Sequence, residues 1–533
     1  MKRKLRRILI PAILLPMLLT SCTRLPPGSL PGSSVSAPQS SAPPSPSASP
    51  LAEEPTAWHS GVQTDYTHLT PYEPPAEKYA RLSDGPMTEL VPSDTYGSLL
   101  PYVGATMYGS EGYRTIRHYG LVTKDGMIVT DPVFSDAYQG SYYDNSTYTG
   151  STMPVYLLAK LEGEVDEDNY WASELRAVCA LDGSWATDFS YRSIYCTDTV
   201  IVLVRDYETN DIDIIDYNGK LLYNTKTLGC YGELPESSAY SFMSGYGEGL
   251  ILVPLKGCRS VVIDALTGSE TLIDYEQCSA FSEGRAAVMK DGLYGFIDRS
   301  YNLVIPLQAL WCDYFHNGKS IIQYPDQSSA VIDADGHVLL ESDSYISRWD
   351  SDTYGVYNSD NSVAYYDAAL NRITAPGGRE ITPMYDGWFF YNTTRNSMTI
   401  FRGDESHMFE GVDSVYGIRG DLAVVTSSGD NTYREGVMTL TGDVVIPMLD
   451  DQSVVLAYDE KTGETYIIAS TYYEKQSYKV YDSGGRLLFD GSGYASYNAA
   501  FGLFEVSGEL SYAYVDKNGE DVFRISLLEY VPD

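Results

Sequence analysis

Apolar and polar positions alternate most legibly between Phe281 and Pro306, in FSEGRAAVMKDGLYGFIDRSYNLVIP. Arg285 to Met289 is apolar enough for a strand, and Lys290-Asp291-Gly292 turns it. Leu293 to Asp298 is aromatic and β-branched, which predicts a second strand. Arg299 to Asn302 makes another turn, and Leu303 to Ile305 begins a third strand. Pro306 has no N–H to donate, so it is expected to end the ladder.

The same phrase recurs through the chain. Its sharpest part is a strand ending in Asp, then a turn ending in Gly or Asn. The copies are Ile214-Ile215-Asp216 with Gly219, Val262-Ile263-Asp264 with Gly268, Phe296-Ile297-Asp298 with Asn302, Val331-Ile332-Asp333 with Gly336, Tyr365-Tyr366-Asp367 with Asn371, Val480-Tyr481-Asp482 with Gly485, and Tyr514-Val515-Asp516 with Gly519. Degenerate copies lie at 121–126, 178–183, 398–403 and 437–442. The Asp carboxylate can accept backbone N–H groups of the turn, and Gly or Asn supplies a positive-φ corner. The recurring Asp therefore reads as a turn-former, not a catalyst. The central copies are 34 or 35 residues apart, a period that implies a repeat architecture.

Phe281-Ser-Glu-Gly-Arg-Ala-Ala-Val288, Asp291-Gly-Leu-Tyr-Gly-Phe-Ile-Asp298 and Val304-Ile305-Pro306 together resemble a WG repeat of bacterial proteins. Partial copies occur at Tyr119-Gly120 with Asp125-Gly126, and at Glu435-Gly436-Val437 with Val444-Val445-Ile446-Pro447. Tyr replaces the namesake Trp in both Tyr-Gly pairs. The resemblance implies a binding or scaffolding role with no shared catalytic site. Three or four short strands per unit predict an all-β chain, a repeat array of short antiparallel sheets that is β-propeller-like. About eleven units exceed the usual four to eight blades, so an open β-superhelix or two smaller propellers are the alternatives.

The N-terminus adds an address. Five basic residues precede an apolar run from Ile8 to Leu19, followed by Leu19-Thr20-Ser21-Cys22. The run is too short for a permanent span, and the tetrapeptide resembles a lipobox. Residues 1–21 are thus expected to be a lipoprotein signal peptide, with Cys22 the lipidated residue. Residues 22–56 carry a Pro/Ser-rich tether that cannot bury enough surface to order itself. Residues 57–95 form a lead-in, and 96–533 the repeat array. The expected location is the outer face of a bacterial cell membrane, reached through the lipid anchor.

Charge and composition narrow the partners. The formal net charge of −36 repels phosphate backbones, which disfavours nucleic acid. An envelope protein, peptide or glycan is the expected partner. The 47 Tyr against 14 Phe suit strand faces with one wet end. Trp349, Trp388, Tyr391, Tyr142 and Tyr143, with Tyr472-Tyr473, are candidate ligand-surface aromatics. The even number of Cys beyond Cys22 allows disulfides in an exported protein, with Cys179–Cys196 and Cys258–Cys278 the local candidate pairs. The six scattered His form no metal motif, and no nucleophile elbow, phosphate loop or dinucleotide fingerprint occurs. Asp333-Ala334-Asp335-Gly336 lacks the ligand ladder of a calcium loop. The acidic stretch Glu162 to Tyr170 reads as an exposed loop. No catalytic residue, metal or cofactor is expected. The remaining alternative is a carbohydrate-active propeller using paired carboxylates.

Overall fold

The structure is a computed structural model. It describes residues 81–530, apart from 84–87, 109–114, 145–148, 162–173, 237, 351–352, 359, 361, 376, 385–386, 395–396, 430–431, 472–475, 509–510 and 527. The signal segment, Cys22, the tether, the acidic stretch 162–170 and Tyr472-Tyr473 lie outside the described residues. The described residues all belong to one unit, Pro55–Asp533.

Among the described residues there are eleven small sheets. In chain order these are sheet 1 (99–123 with 528–530), sheet 2 (136–180), sheet 3 (193–224), sheet 4 (246–273), sheet 5 (277–309), sheet 6 (311–342), sheet 7 (346–366), sheet 8 (382–410), sheet 9 (414–450), sheet 10 (452–492) and sheet 11 (494–526). Sheets 3–6 and 8–11 are four-stranded antiparallel meanders. Each of the eleven strand-turn copies read from the sequence is the turn that follows the third strand of one sheet, or that strand's equivalent in sheets 1 and 2.

Central strands are apolar on both faces, because each sheet is covered on both sides. In Arg285–Lys290, Ala286 and Val288 pack towards Leu252 and Val262 of sheet 4. Ala287, between them, packs towards Ile322 and Ile332 of sheet 6. Side chains alternate along a strand, so successive residues serve successive cores. The same exchange links every neighbouring pair. It also links the last sheet to the first, where Tyr512, Tyr514 and Phe523 pack on Leu100, Tyr102 and Val122. The strand Leu528–Tyr530 pairs in parallel with Ala105–Met107 of sheet 1, so the C-terminal chain completes the N-terminal sheet. The array is therefore a closed, β-propeller-like ring, not an open superhelix or two smaller rings.

The turn geometry repeats as the sequence implies. Asp298 accepts the N–H of Ser300 and Asn302 at 2.9 Å each. Asp216, Asp333, Asp367, Asp482 and Asp516 accept the same i+2 and i+4 pair. In two of the four degenerate copies Thr123 and Thr439 take over with their hydroxyls, accepting from Met127 and Asp443. These bonds hold the carboxyls of Asp298 and Asp333 below the usual carboxylate range.

Pro306 does not end its strand, contrary to the sequence expectation. The strand runs from Leu303 to Ala309 with a register shift: Phe296 pairs with Ile305, and Tyr294 with Ala309. The glycine between Tyr294 and Phe296 makes room for this bulge. A Cβ on Gly295 would meet the Ile305 oxygen at 2.5 Å, and one on Gly436 would meet the Ile446 oxygen at 2.6 Å. The Tyr-Gly or Glu-Gly step and the distant Val-Ile-Pro are thus two halves of one backbone feature.

A second recurring geometry joins neighbouring sheets. Glu248-Gly249, Glu283-Gly284 and Asn317-Gly318 are tight turns with both residues at positive φ. The Glu248 carboxylate accepts the Gly284 N–H at 2.8 Å. The Glu283 carboxylate accepts the N–H groups of Asn317 and Gly318, both at 2.7 Å. Each glutamate therefore clamps the equivalent turn of the next sheet.

Two tests follow from this packing. Gly295→Ala and Gly436→Ala should each cost about 1–3 kcal/mol by forcing the bulge apart, read as a shift of the urea midpoint against wild type. Glu505 lies at the seam between sheets 11 and 1, and burial pushes its carboxyl up, with the Tyr512 hydroxyl and the Arg117 charge opposing. A carboxyl raised in the folded state favours folding most at acid pH and loses that contribution as pH rises through the folded value. Glu505→Gln should accordingly raise the melting temperature at pH 7, with the gain vanishing near pH 3.

Candidate functional site

Among the described residues, helical structure interrupts the repeat between sheets 3 and 4. There the chain makes two 3-10 turns, Thr225–Thr227 and Tyr231–Glu233, and the helix Ala239–Ser244. This is the one α-helix among the described residues. Ala239 and Phe242 are buried in the core between the two sheets and tie the helix down.

Polar bonds fix the insert further. The Asn210 side chain donates to the Pro235 carbonyl at 2.8 Å and accepts from the Ala239 N–H at 3.2 Å. Glu270 of sheet 4 accepts the N–H groups of Gly229 and Cys230 at 2.6 and 2.8 Å. The Tyr231 hydroxyl donates to the Thr209 carbonyl. The insert is thus held to both sheets at several points.

What it presents is aromatic. The Tyr240 ring stacks on Tyr207, with centroids 5.2 Å apart and planes 28° apart. Tyr240 is 58% exposed, and Tyr195 on the first strand of sheet 3 is 36% exposed. The Tyr207 hydroxyl donates to Ser193 Oγ. Burial and the neighbouring Tyr207 push the Tyr195 hydroxyl up to about 12, so it remains a neutral donor. The stacked Tyr207 and Tyr240 rings, with the Tyr195 hydroxyl beside them, form a platform with hydroxyls at its edge. Such a surface suits the apolar face of a sugar ring or the side chains of a peptide.

The aromatics singled out in the sequence do not converge. Trp388 is 3% exposed in the core between sheets 8 and 9, with the Arg402 guanidinium 4.5 Å over its ring. Tyr391 is half-buried against Phe401, and Arg379 lies 5.2 Å over it. Tyr142 packs edge-on to Tyr246 at the core between sheets 3 and 4. Adjacent strand residues point to opposite sides, which leaves Tyr143 exposed while Tyr142 packs. Trp349 is exposed on sheet 7, remote in the chain from Tyr143. Tyr195, Tyr207 and Tyr240 were missed, although the 48-residue step from Asp216 to Asp264 marked the insert that carries one of them.

The candidate disulfides do not form, and the six described cysteines are all thiols. Cys179 faces the core between sheets 1 and 2, whereas Cys196 faces the core between sheets 2 and 3. Cys258 is exposed at positive φ on the hairpin tip of sheet 4, while Cys278 packs into the core between sheets 4 and 5. Burial pushes the Cys179 and Cys278 thiols up to about 12.

One carboxylate group stands apart from the turns. Glu174 is nearly fully buried, accepts from Ser135 Oγ at 3.0 Å and pairs with Arg176 at 2.8 Å. Burial pushes up both Glu174 and the neighbouring Asp136, against the charge of Arg176. Among the described residues, no group of three or more His, Cys, Asp or Glu could hold a metal ion. No described helix is long and apolar enough to cross a membrane.

Fold and surface together define a β-propeller-like repeat protein. Residues 273–294, which end at Tyr294 of the Tyr-Gly step, match the family model for the WG containing repeat. No curated protein matches the chain. Solved structures that resemble it include BamB from Moraxella catarrhalis, at 10% identity and a TM-score of 0.22, covering 63% of this chain and 94% of that one. The extracellular domain of the putative hybrid two-component system BT3049 from B. thetaiotaomicron gives 10% identity and 0.21, covering 78% and 69%. The computationally designed Ika8 protein gives 13% and 0.20, covering 52% and 93%.

Proposed function

We propose that this chain is a non-catalytic binding or scaffold protein, exported and lipid-anchored through Cys22 on the outer face of the bacterial membrane. Its ring displays a recognition surface to an envelope protein, peptide or glycan. The observation that carries the reading is the Tyr195–Tyr207–Tyr240 platform. It is completed by Tyr240 of the helical insert against two tyrosines of sheet 3, and polar bonds pre-order that insert, so little entropy is lost on binding. The lipobox-like Leu19-Thr-Ser-Cys22 and the Pro/Ser-rich stretch after it support the anchor and a spacer.

Two experiments test this. Residues 22–533 with Cys22→Ser, screened against cell-wall glycans and peptides, should show saturable binding without turnover. Tyr240→Ala should weaken that binding at least tenfold while leaving the melting temperature within about 2 °C, because the ring is largely exposed. Binding unaffected by Tyr240→Ala would remove the platform from the reading. In cells, Cys22→Ser should abolish incorporation of a clickable palmitate analogue and shift the protein from the membrane fraction.

The second reading is a carbohydrate-active enzyme. It is favoured only by the raised carboxyls of Asp136 and Glu174, a pairing that acid–base chemistry uses. Turnover in the same glycan screen, lost in Asp136→Asn, would replace the binding reading with this one.

A further inference from the structure

Sheet 7 lacks the fourth strand that its neighbours have. It contains Ile346–Arg348, Tyr354–Tyr357 and Val363–Tyr366 only. Sheets 1 and 2 also lack a regular strand beside the strands that end at Thr123 and Ala180, but irregular chain fills that lane. In sheet 1, Tyr119 and Phe134 exchange both backbone bonds, and Val129 donates to Leu121. In sheet 2, Arg176 exchanges bonds with Tyr191, and Thr187 donates to Val178.

In sheet 7 the lane is entered and abandoned. Arg372 bridges Tyr366, and the Ile373 N–H donates to the Tyr365 carbonyl at 2.8 Å. The chain then turns away: Ala375 and Ile381 pack instead into the core between sheets 7 and 8. In sheets 3, 5, 9 and 11, though not in sheet 4, the seventh residue after the turn Asp or Thr lands on the fourth strand and buries an apolar side chain. Tyr223, Ile305, Ile446 and Phe523 do so at 0–9% exposure. The equivalent residue in sheet 7 is Thr374, which is exposed.

The third strand registers the loss. Ser329–Asp333 of sheet 6 and Arg259–Asp264 of sheet 4 each have four buried residues. Val363–Tyr366 has none. In an antiparallel ladder both backbone groups of a residue point to the same side. Ile373 bonds the Tyr365 carbonyl from the fourth-strand side, so the Tyr365 N–H and both groups of Val363 face that side too. No described residue bonds them.

We propose that the edge Val363–Tyr366 is a docking lane for an extended, positively charged segment of a partner protein, which adds as the fourth strand of sheet 7. The lane matches one strand in width because the ring fills it with its own chain in the other sheets, and strand addition satisfies edge groups in this way. The sign follows from charge. Asp360 and Asp367 stand just before and just after the strand, and the chain as a whole carries −36, which repels a second copy of itself. Of the basic groups nearby, Arg379 is engaged over the Tyr391 ring of sheet 8, and Arg372 lies at the start of the lane, where it bridges Tyr366, so the proposed segment enters beyond it.

The probe is a synthetic peptide carrying the segment 302–305, Asn-Leu-Val-Ile, with two lysines on either side. Its binding to the mature chain with Cys22→Ser is measured by calorimetry at low and moderate salt. Stoichiometric, salt-weakened binding is expected, and Val363→Pro should weaken it at least tenfold, because proline removes an edge N–H without touching the ladder to the second strand. Val363→Thr should bind within about twofold of wild type. Should Val363→Pro fail to fold, slowed amide exchange at Val363 and Tyr365 of the wild-type chain on adding peptide carries the test. Equal binding by Val363→Pro, equal binding of the peptide flanked by glutamates, or no protection of those amides would overturn the proposal. So would concentration-dependent dimerisation that Val363→Pro abolishes, since a second copy would then own the edge. Tyr240→Ala should leave this binding unchanged, which separates it from the platform.

Discussion

Every sheet in this ring must cover both of its faces, and the rest of the structure depends on that constraint. Ala286 and Val288 cannot be buried unless sheet 4 is in place, and Ala287 cannot unless sheet 6 is. A single unit has no core of its own, so stability is shared between neighbours and must not run out at the ends. The closure answers this directly. Tyr512, Tyr514 and Phe523 meet Tyr102 and Val122, and Leu528–Tyr530 takes the place beside Ala105–Met107. An unclosed array would leave two apolar sheet faces in water, a patch that soluble proteins rarely tolerate.

Close packing of so many small sheets then sets demands on the backbone. The Glu248 and Glu283 carboxylates fix the distance between successive turns, and the Asp carboxylates fix the turns themselves. Gly295 and Gly436 admit the bulges that let the chain leave one sheet and start the next almost at once. Only Leu310 separates the strand ending at Ala309 from the one beginning at Trp311.

What could be read in the sequence was what is decided locally. Asp298 bonds N–H groups two and four residues away, so its role shows in a five-residue window. The alternation around Ala287 shows a strand buried on both sides, and the recurrence of the turn shows how many sheets to expect. Glu283 was opaque because its partners are 34 and 35 residues distant. Pro306 misled because its missing N–H was assigned to the end of a strand, when it falls in a bulge that Gly295 accommodates. The cysteines misled because nearness in sequence does not place two residues in the same core: Cys179 and Cys196 face successive ones. Trp388 was taken for a surface residue, but its ring fills the core between two sheets.

Where, then, does such a ring keep its specificity? At regular positions the side chains are committed to cores, turns or clamps, and the fold would tax any change there. The two departures from regularity are different in kind. Between sheets 3 and 4 the chain adds material, and the addition carries the exposed Tyr240 ring, stacked on Tyr207 of sheet 3, on a helix whose other side is buried. In sheet 7 the chain withholds material, and backbone groups that every other sheet satisfies internally are left to an outside partner. Side-chain rings favour recognition by shape and polarity, whereas an open strand edge recognises extended backbone with little regard to sequence. A scaffold that holds one partner by a particular chemical surface and another by its extended backbone needs both kinds of departure. A repeat ring can supply them without disturbing the cores between its other sheets, because each unit touches only its neighbours.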